Sequence, residues 1–124
     1  VATSIRIRVA AVVGALFGAI SIVAGTRVLA GLDVPDYVVL PWLVRYNVAA
    51  GAFGVVVGVG LWLVRPWAMA SAWALTAAHT SVLVAIAAWR ATGGAVADDS
   101  LVAMALRTLV WSAVSVVARR QSTG

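Results

Sequence analysis

The chain has 124 residues, of which 64% are hydrophobic and 10% charged, too few polar groups to clothe a water-soluble domain. Its formal net charge is +5, yet the arginines flank apolar runs instead of gathering into a basic patch, so no nucleic-acid partner is expected. The lack of cysteine excludes disulfides, iron–sulfur ligation and thiolate metal sites.

Four apolar runs, each close to the ~20 residues that cross a bilayer as a helix, predict spans over residues 5–31, 41–64, 67–90 and 100–118. The expected fold is all-α, an integral membrane four-helix antiparallel bundle forming one transmembrane domain over 1–124. Arg6 and Arg8 precede the first run, which is too long for the apolar core of a secretory signal and is read as a retained span. Turn chemistry follows in Asp33-Val34-Pro35-Asp36-Tyr37, and Pro41 suits the first position of the second helix. The very short Arg65-Pro66-Trp67 turn makes the second and third helices antiparallel neighbours. Gly93-Gly94 reads as a turn, and Ser100 as an N-cap for the fourth helix, the shortest of the four runs.

Alternation of four spans puts Arg6, Arg8, Arg65, Arg119 and Arg120 on one side, which the positive-inside rule makes cytoplasmic together with both termini. Asp33, Asp36, Asp98 and Asp99 fall on the opposite side, near Arg27, Arg45 and Arg90. Trp42, Trp62, Trp67 and Trp89 sit at span ends as interfacial anchors, while Trp73 and Trp111 lie deeper and are expected to pack.

Small residues are patterned. Gly14, Gly18, Ser21 and Gly25 share one face of the first helix, and Asn47, Gly51, Gly54 and Gly58 repeat that spacing in the second. Such faces let backbones approach, so the two helices are expected to pack along them, within one chain or between chains. Thr76, His79, Thr80 and Leu83 align on the third helix, as do Thr108, Ser112 and Ser115 on the fourth, which implies a modestly polar interior.

His79 stands about 18 Å along its helix from Trp67, near the bilayer midplane, where an ionisable group needs partners. It could relay protons or bond a quinone carbonyl; otherwise it is a neutral imidazole bonded to a hydroxyl of the fourth helix. A haem held by two histidines would need a second chain, because His79 is the single histidine here. Arg107 lies in the outer half of the membrane, where an anionic partner is expected: Asp98, Asp99, Asp33, Asp36, a lipid phosphate or a bound substrate. Arg45, Tyr46 and Asn47 occupy a similar depth and, with the aspartates, could form a polar mouth for a quinone head group, a small anion or a partner's loop. Loop-anchoring ion pairs are the plainer reading. No catalytic residue and no metal site is expected: Asp98-Asp99 is far short of the six or more oxygens that calcium takes.

The stretches Leu40-Pro41-Trp42-Leu43-Val44-Arg45-Tyr46-Asn47, Gly58-Val59-Gly60-Leu61-Trp62-Leu63-Val64-Arg65-Pro66-Trp67-Ala68, and Gly93-Gly94 followed by Ala103-Met104-Ala105-Leu106-Arg107-Thr108-Leu109-Val110-Trp111 resemble small four-span bacterial membrane proteins described as DoxX-like, most without an assigned function. The resemblance implies an acidic residue after the paired glycines, a role that Asp98 or Asp99 would fill. It also implies a link to a quinone or redox complex, without catalysis by the chain itself.

The expectation is therefore a non-catalytic subunit or accessory protein of a larger bacterial membrane complex, in the cytoplasmic (inner) membrane, with a homo-oligomeric or hetero-complex partner besides the lipid bilayer. No bound cofactor is required, a quinone being the one these residues suit. The alternative is a small oligomeric transporter or channel with a polar path near His79, Arg107 and Asn47. The lysine-free, alanine-, valine- and arginine-rich composition resembles that of bacteria with GC-rich genomes.

Overall fold

A computed structural model describes residues 4–123. Its helices are α1 (Ile5–Leu29), α2 (Pro41–Trp62), α3 (Ala68–Ala91) and α4 (Asp98–Thr123), with no strand among the described residues. All four are long and apolar enough to cross a membrane, as a multi-pass membrane protein requires. Each packs on its neighbour in sequence, and α4 closes the ring against α1. The short connections make the bundle antiparallel. The α1–α2 and α3–α4 loops meet at one end, here the acidic end; the α2–α3 turn lies at the other, the arginine end. Large apolar side chains such as Leu16, Ile20, Val56, Val84 and Leu109 point outward, as they do where the solvent is lipid.

Helix ends follow local chemistry. Ser4 Oγ accepts the Ile7 amide at 3.3 Å and caps α1. Three helices end in the same two-bond motif, in which the chain turns through a left-handed residue and the last carbonyls are satisfied. Gly31 (φ 76) supplies that residue after α1 and Gly93 (φ 96) after α3. After α2 it is Val64 (φ 53), whose amide reaches Leu61 O at 3.1 Å while Arg65 N donates to Gly60 O at 2.8 Å. A β-branched residue in that conformation costs about 1–2 kcal/mol relative to glycine.

Two expectations for α4 are corrected. The helix begins at Asp98, so Ser100 lies inside the first turn and is not the cap. Asp98 and Asp99 occupy that turn because the positive end of the helix dipole favours carboxylates. Charged residues at both ends wind into the helix, making it, at 26 residues, the longest of the four and not the shortest.

The glycine faces meet within one chain. A Cβ added at Gly18 would stand 2.5 Å from Gly51 O, one at Gly51 2.6 Å from Gly18 O, and one at Gly58 2.8 Å from Ala11 O. Backbone thus lies on backbone along α1 and α2, while Gly25 makes room for the Val48 side chain. Gly14 and Gly54 serve another purpose. They form a notch that receives the indole of Trp111 from α4, whose ring atoms would lie 2.9 Å from a Cβ at either position. Trp111 is buried there among Ala11, Val57, Leu75 and Val114. A second cluster, Leu40, Leu43, Ile86, Val96 and Met104, closes the acidic end between α2, α3 and α4. Between α3 and α4, Thr76 and Ser115 share a buried hydrogen bond of 2.9 Å, whereas Thr80, Thr108 and Ser112 turn back onto carbonyls of their own helices.

Gly18→Leu should lower the midpoint of thermal unfolding in detergent by more than the ~1–3 kcal/mol usual for overpacking, since the obstacle is backbone. Val64→Gly should raise stability by about 1 kcal/mol in the same assay by relieving the left-handed valine.

Candidate functional site

Arg107 is the side chain around which the polar groups of the bundle are arranged. It stands on α4 two residues, about 3 Å, from Leu109, the midpoint of the Asp98–Arg120 span. Isolated in hydrocarbon, an arginine at that depth costs about 2.5–3.5 kcal/mol on insertion scales. The fold meets part of that demand from α1: Arg107 Nε donates to Ser21 Oγ at 3.1 Å. Ser21 lies in the glycine face, and its shortness lets α1 come near enough for the contact. No carboxylate among the described residues comes within 4 Å of Arg107, so the expected aspartate partner is replaced by a hydroxyl. Its Nη1 is buried without a hydrogen-bond partner.

Arg107 also lines a pocket. Ser21, Gly25 and Val28 of α1, Leu43, Val44 and Asn47 of α2, and Asp99, Ser100, Ala103 and Arg107 of α4 line a cavity of about 120 Å³ beneath Pro35, Tyr37 and Leu40 of the first loop. A space of that size takes several waters or one small molecule. Asn47 Oδ1 is the second buried atom without a partner. The floor therefore presents a guanidinium and a carboxamide, and Asp99 stands at the rim. Below, the core is closed by Trp111, one helical turn from Arg107.

His79 and Tyr46 form a separate pair. Tyr46 Oη and His79 Nδ1 share a hydrogen bond of 3.0 Å, with the rings edge-on at 86°. The phenol donates when the imidazole carries its proton on Nε2. The histidine is buried at the midpoint of α3, and its partner is a tyrosine of α2 instead of a hydroxyl of α4. Neither residue lines the pocket.

Four of the remaining charged groups form two surface pairs. Arg27 grips Asp33 with two bonds of 2.9 and 3.1 Å, and Arg90 pairs with Asp98 across the α3–α4 loop. Arg45, one residue before Tyr46, points away from the pocket and is exposed. Of the residues that the sequence singles out for a ligand site, the structure brings Arg107, Asn47 and Asp99 to one cavity, joins Tyr46 to His79, and leaves Arg45 and Asp98 outside. Of the packing residues, Gly18, Gly51 and Gly58 touch backbone, Gly14 and Gly54 hold Trp111, and Gly25 borders both Val48 and the cavity. Ser21 was legible only as a small residue in a packing face; its hydroxyl among glycines was the available signal for its contact with Arg107. No family model, curated protein or solved structure matches the chain.

Ser21→Ala should cost about 1–3 kcal/mol, because it strips the charged Arg107 of its hydrogen-bond partner; urea or thermal unfolding in detergent reads this. The Arg27 hydrogen bond holds the Asp33 carboxyl below its ordinary pKa. Its contribution is thus complete above the usual carboxylate range and is lost as pH falls through the depressed value. Carbon-detected NMR of Asp33 should show the late titration, and Arg27→Gln should return it to normal.

Proposed function

We propose that the protein is a non-catalytic membrane-integral subunit or accessory protein of a larger bacterial complex in the cytoplasmic membrane. Both termini face the cytoplasm, and the acidic end opens outward to hold a small ligand. One observation carries this reading: Arg107, which has no carboxylate partner among the described residues, lines a cavity at the acidic end that the buried Trp111 closes beneath. A blind pocket with a charged floor suits a component that holds a ligand more than one that conducts it, since the buried Trp111 stands where a path would continue. The pocket lining contains no paired acid and base around a nucleophile, and His79 faces Tyr46 instead. The arginines of the opposite end, among them Arg8 stacked 4.9 Å from the Trp62 ring, support the cytoplasmic assignment of the termini. The DoxX-like segments suit a quinone-linked partner complex.

Gentle extraction from the native membrane followed by native mass spectrometry should reveal a co-purifying subunit. A homo-oligomer that never carries a partner would overturn the subunit reading and move the weight to an oligomeric transporter, testable by flux into liposomes.

A further inference from the structure

The pocket has a charge without a counter-charge, and its depth limits what can supply one. Arg107 Nε meets Ser21 Oγ at 3.1 Å, and Ser21 lies four residues, about 6 Å, from the middle of the Ile5–Leu29 helix. Asn47 lies about 7 Å from the middle of α2, on the same side. Lipid phosphates stand outside a hydrocarbon core about 30 Å thick, roughly 15 Å from the midplane. The guanidinium therefore sits some 9 Å too deep to meet a phosphate at its ordinary level. A neutral quinone carbonyl could reach it but would leave its charge unbalanced in a low-dielectric surrounding.

We infer that the cavity between α1, α2 and α4 is a binding site for a small monoanion, a carboxylate or an inorganic oxyanion, that enters from the acidic end and pairs with Arg107. This deepens the ligand-holding part of the function proposed above. Ser21 occupies Nε and orients the guanidinium, and Arg107 lines the cavity with no carboxylate among the described residues to balance its charge. A planar oxyanion accepts from guanidinium N–H groups in a charge-assisted bond, and Asn47 lines the same cavity beside it. One guanidinium matches one negative charge. Asp99 at the rim disfavours a dianion, and a volume of about 120 Å³ excludes a bulky one.

The test uses the purified full chain in phosphatidylcholine nanodiscs, with ionic strength held constant by sodium chloride, whose anion is not an oxyanion. Acetate, nitrate and sulfate are titrated in turn, and the thermal midpoint is read by tryptophan fluorescence with calorimetry alongside. Acetate or nitrate should raise the midpoint saturably, and sulfate should bind at least tenfold more weakly. Arg107→Gln should abolish the response, and Arg45→Gln should keep it. Should Arg107→Gln not fold, Asn47→Leu fills the cavity beside an intact guanidinium and should weaken acetate binding at least tenfold. Absence of a saturable response, an equal response in the Arg107→Gln or Asn47→Leu variant, or a preference for sulfate would each overturn the inference. Stabilisation seen only in phosphatidylglycerol nanodiscs and lost in Arg107→Gln would assign the anion to a lipid head group and overturn it too. Acetate binding by a protein that never purifies with a partner would sink the subunit reading alone; a partner without anion binding would sink this inference alone.

Discussion

The bundle depends on one indole. Trp111 reaches from α4 into a notch that exists because Gly14 and Gly54 have no side chains there. In lipid no hydrophobic force presses helices together, since the solvent is as apolar as the side chains, and close packing has to do that work. The α1–α2 pair achieves it with backbone against backbone at Gly18, Gly51 and Gly58. Two helices so closely laid leave a shallow surface, and the notch lets α4 key into it. Through Trp111 the last helix is registered against the first two, and that register carries Arg107, one turn away, to Ser21 and the pocket.

Polar groups are distributed according to the same economy. Thr80, Thr108 and Ser112 satisfy their hydroxyls on their own helices, so they add little to specificity. Thr76 with Ser115 and Tyr46 with His79 cross between helices and fix α3 against α4 and α2 in turn. Arg107 is the one member of this interior set whose partner leaves a donor over. That surplus, at the depth where unpaired polar atoms are most costly, distinguishes the cavity from the other polar contacts of the interior.

Much of the architecture was legible because the membrane reduces folding to a short list of constraints. Span lengths, the Arg65-Pro66-Trp67 turn and the 4-3-4 spacing of small residues each have one strong structural meaning in lipid. The site was legible in parts. Arg107 and Asn47 drew attention because polar groups within spans are rare, whereas rotation about the helix axis decided the rest. Arg45 and Tyr46 are adjacent in sequence yet point outward and inward, and a stretch of apolar neighbours gives no phase by which to tell them apart. Ser21 and Trp111 were readable as packing residues. What they pack against depends on the register of α4, which no local pattern encodes. Val64 in a left-handed turn is likewise invisible, because the hydrogen bonds that close the end of α2 override its preference for extended backbone.

The link between Arg107 and Ser21 also bears on biogenesis. Ser21 belongs to α1, and Arg107 to α4, which is synthesised three helices later. A nascent α4 carries the Arg107 charge into the translocon with no partner for it in its own hairpin, for the polar links of α3 to α4 go to Ser115 and Asp98. Its lateral release into lipid is therefore tied to an α1–α2 hairpin still waiting nearby with its notch open. α1 and α4 thus become mutual templates, and the bundle completes membrane integration as a closing ring rather than as four successive insertions.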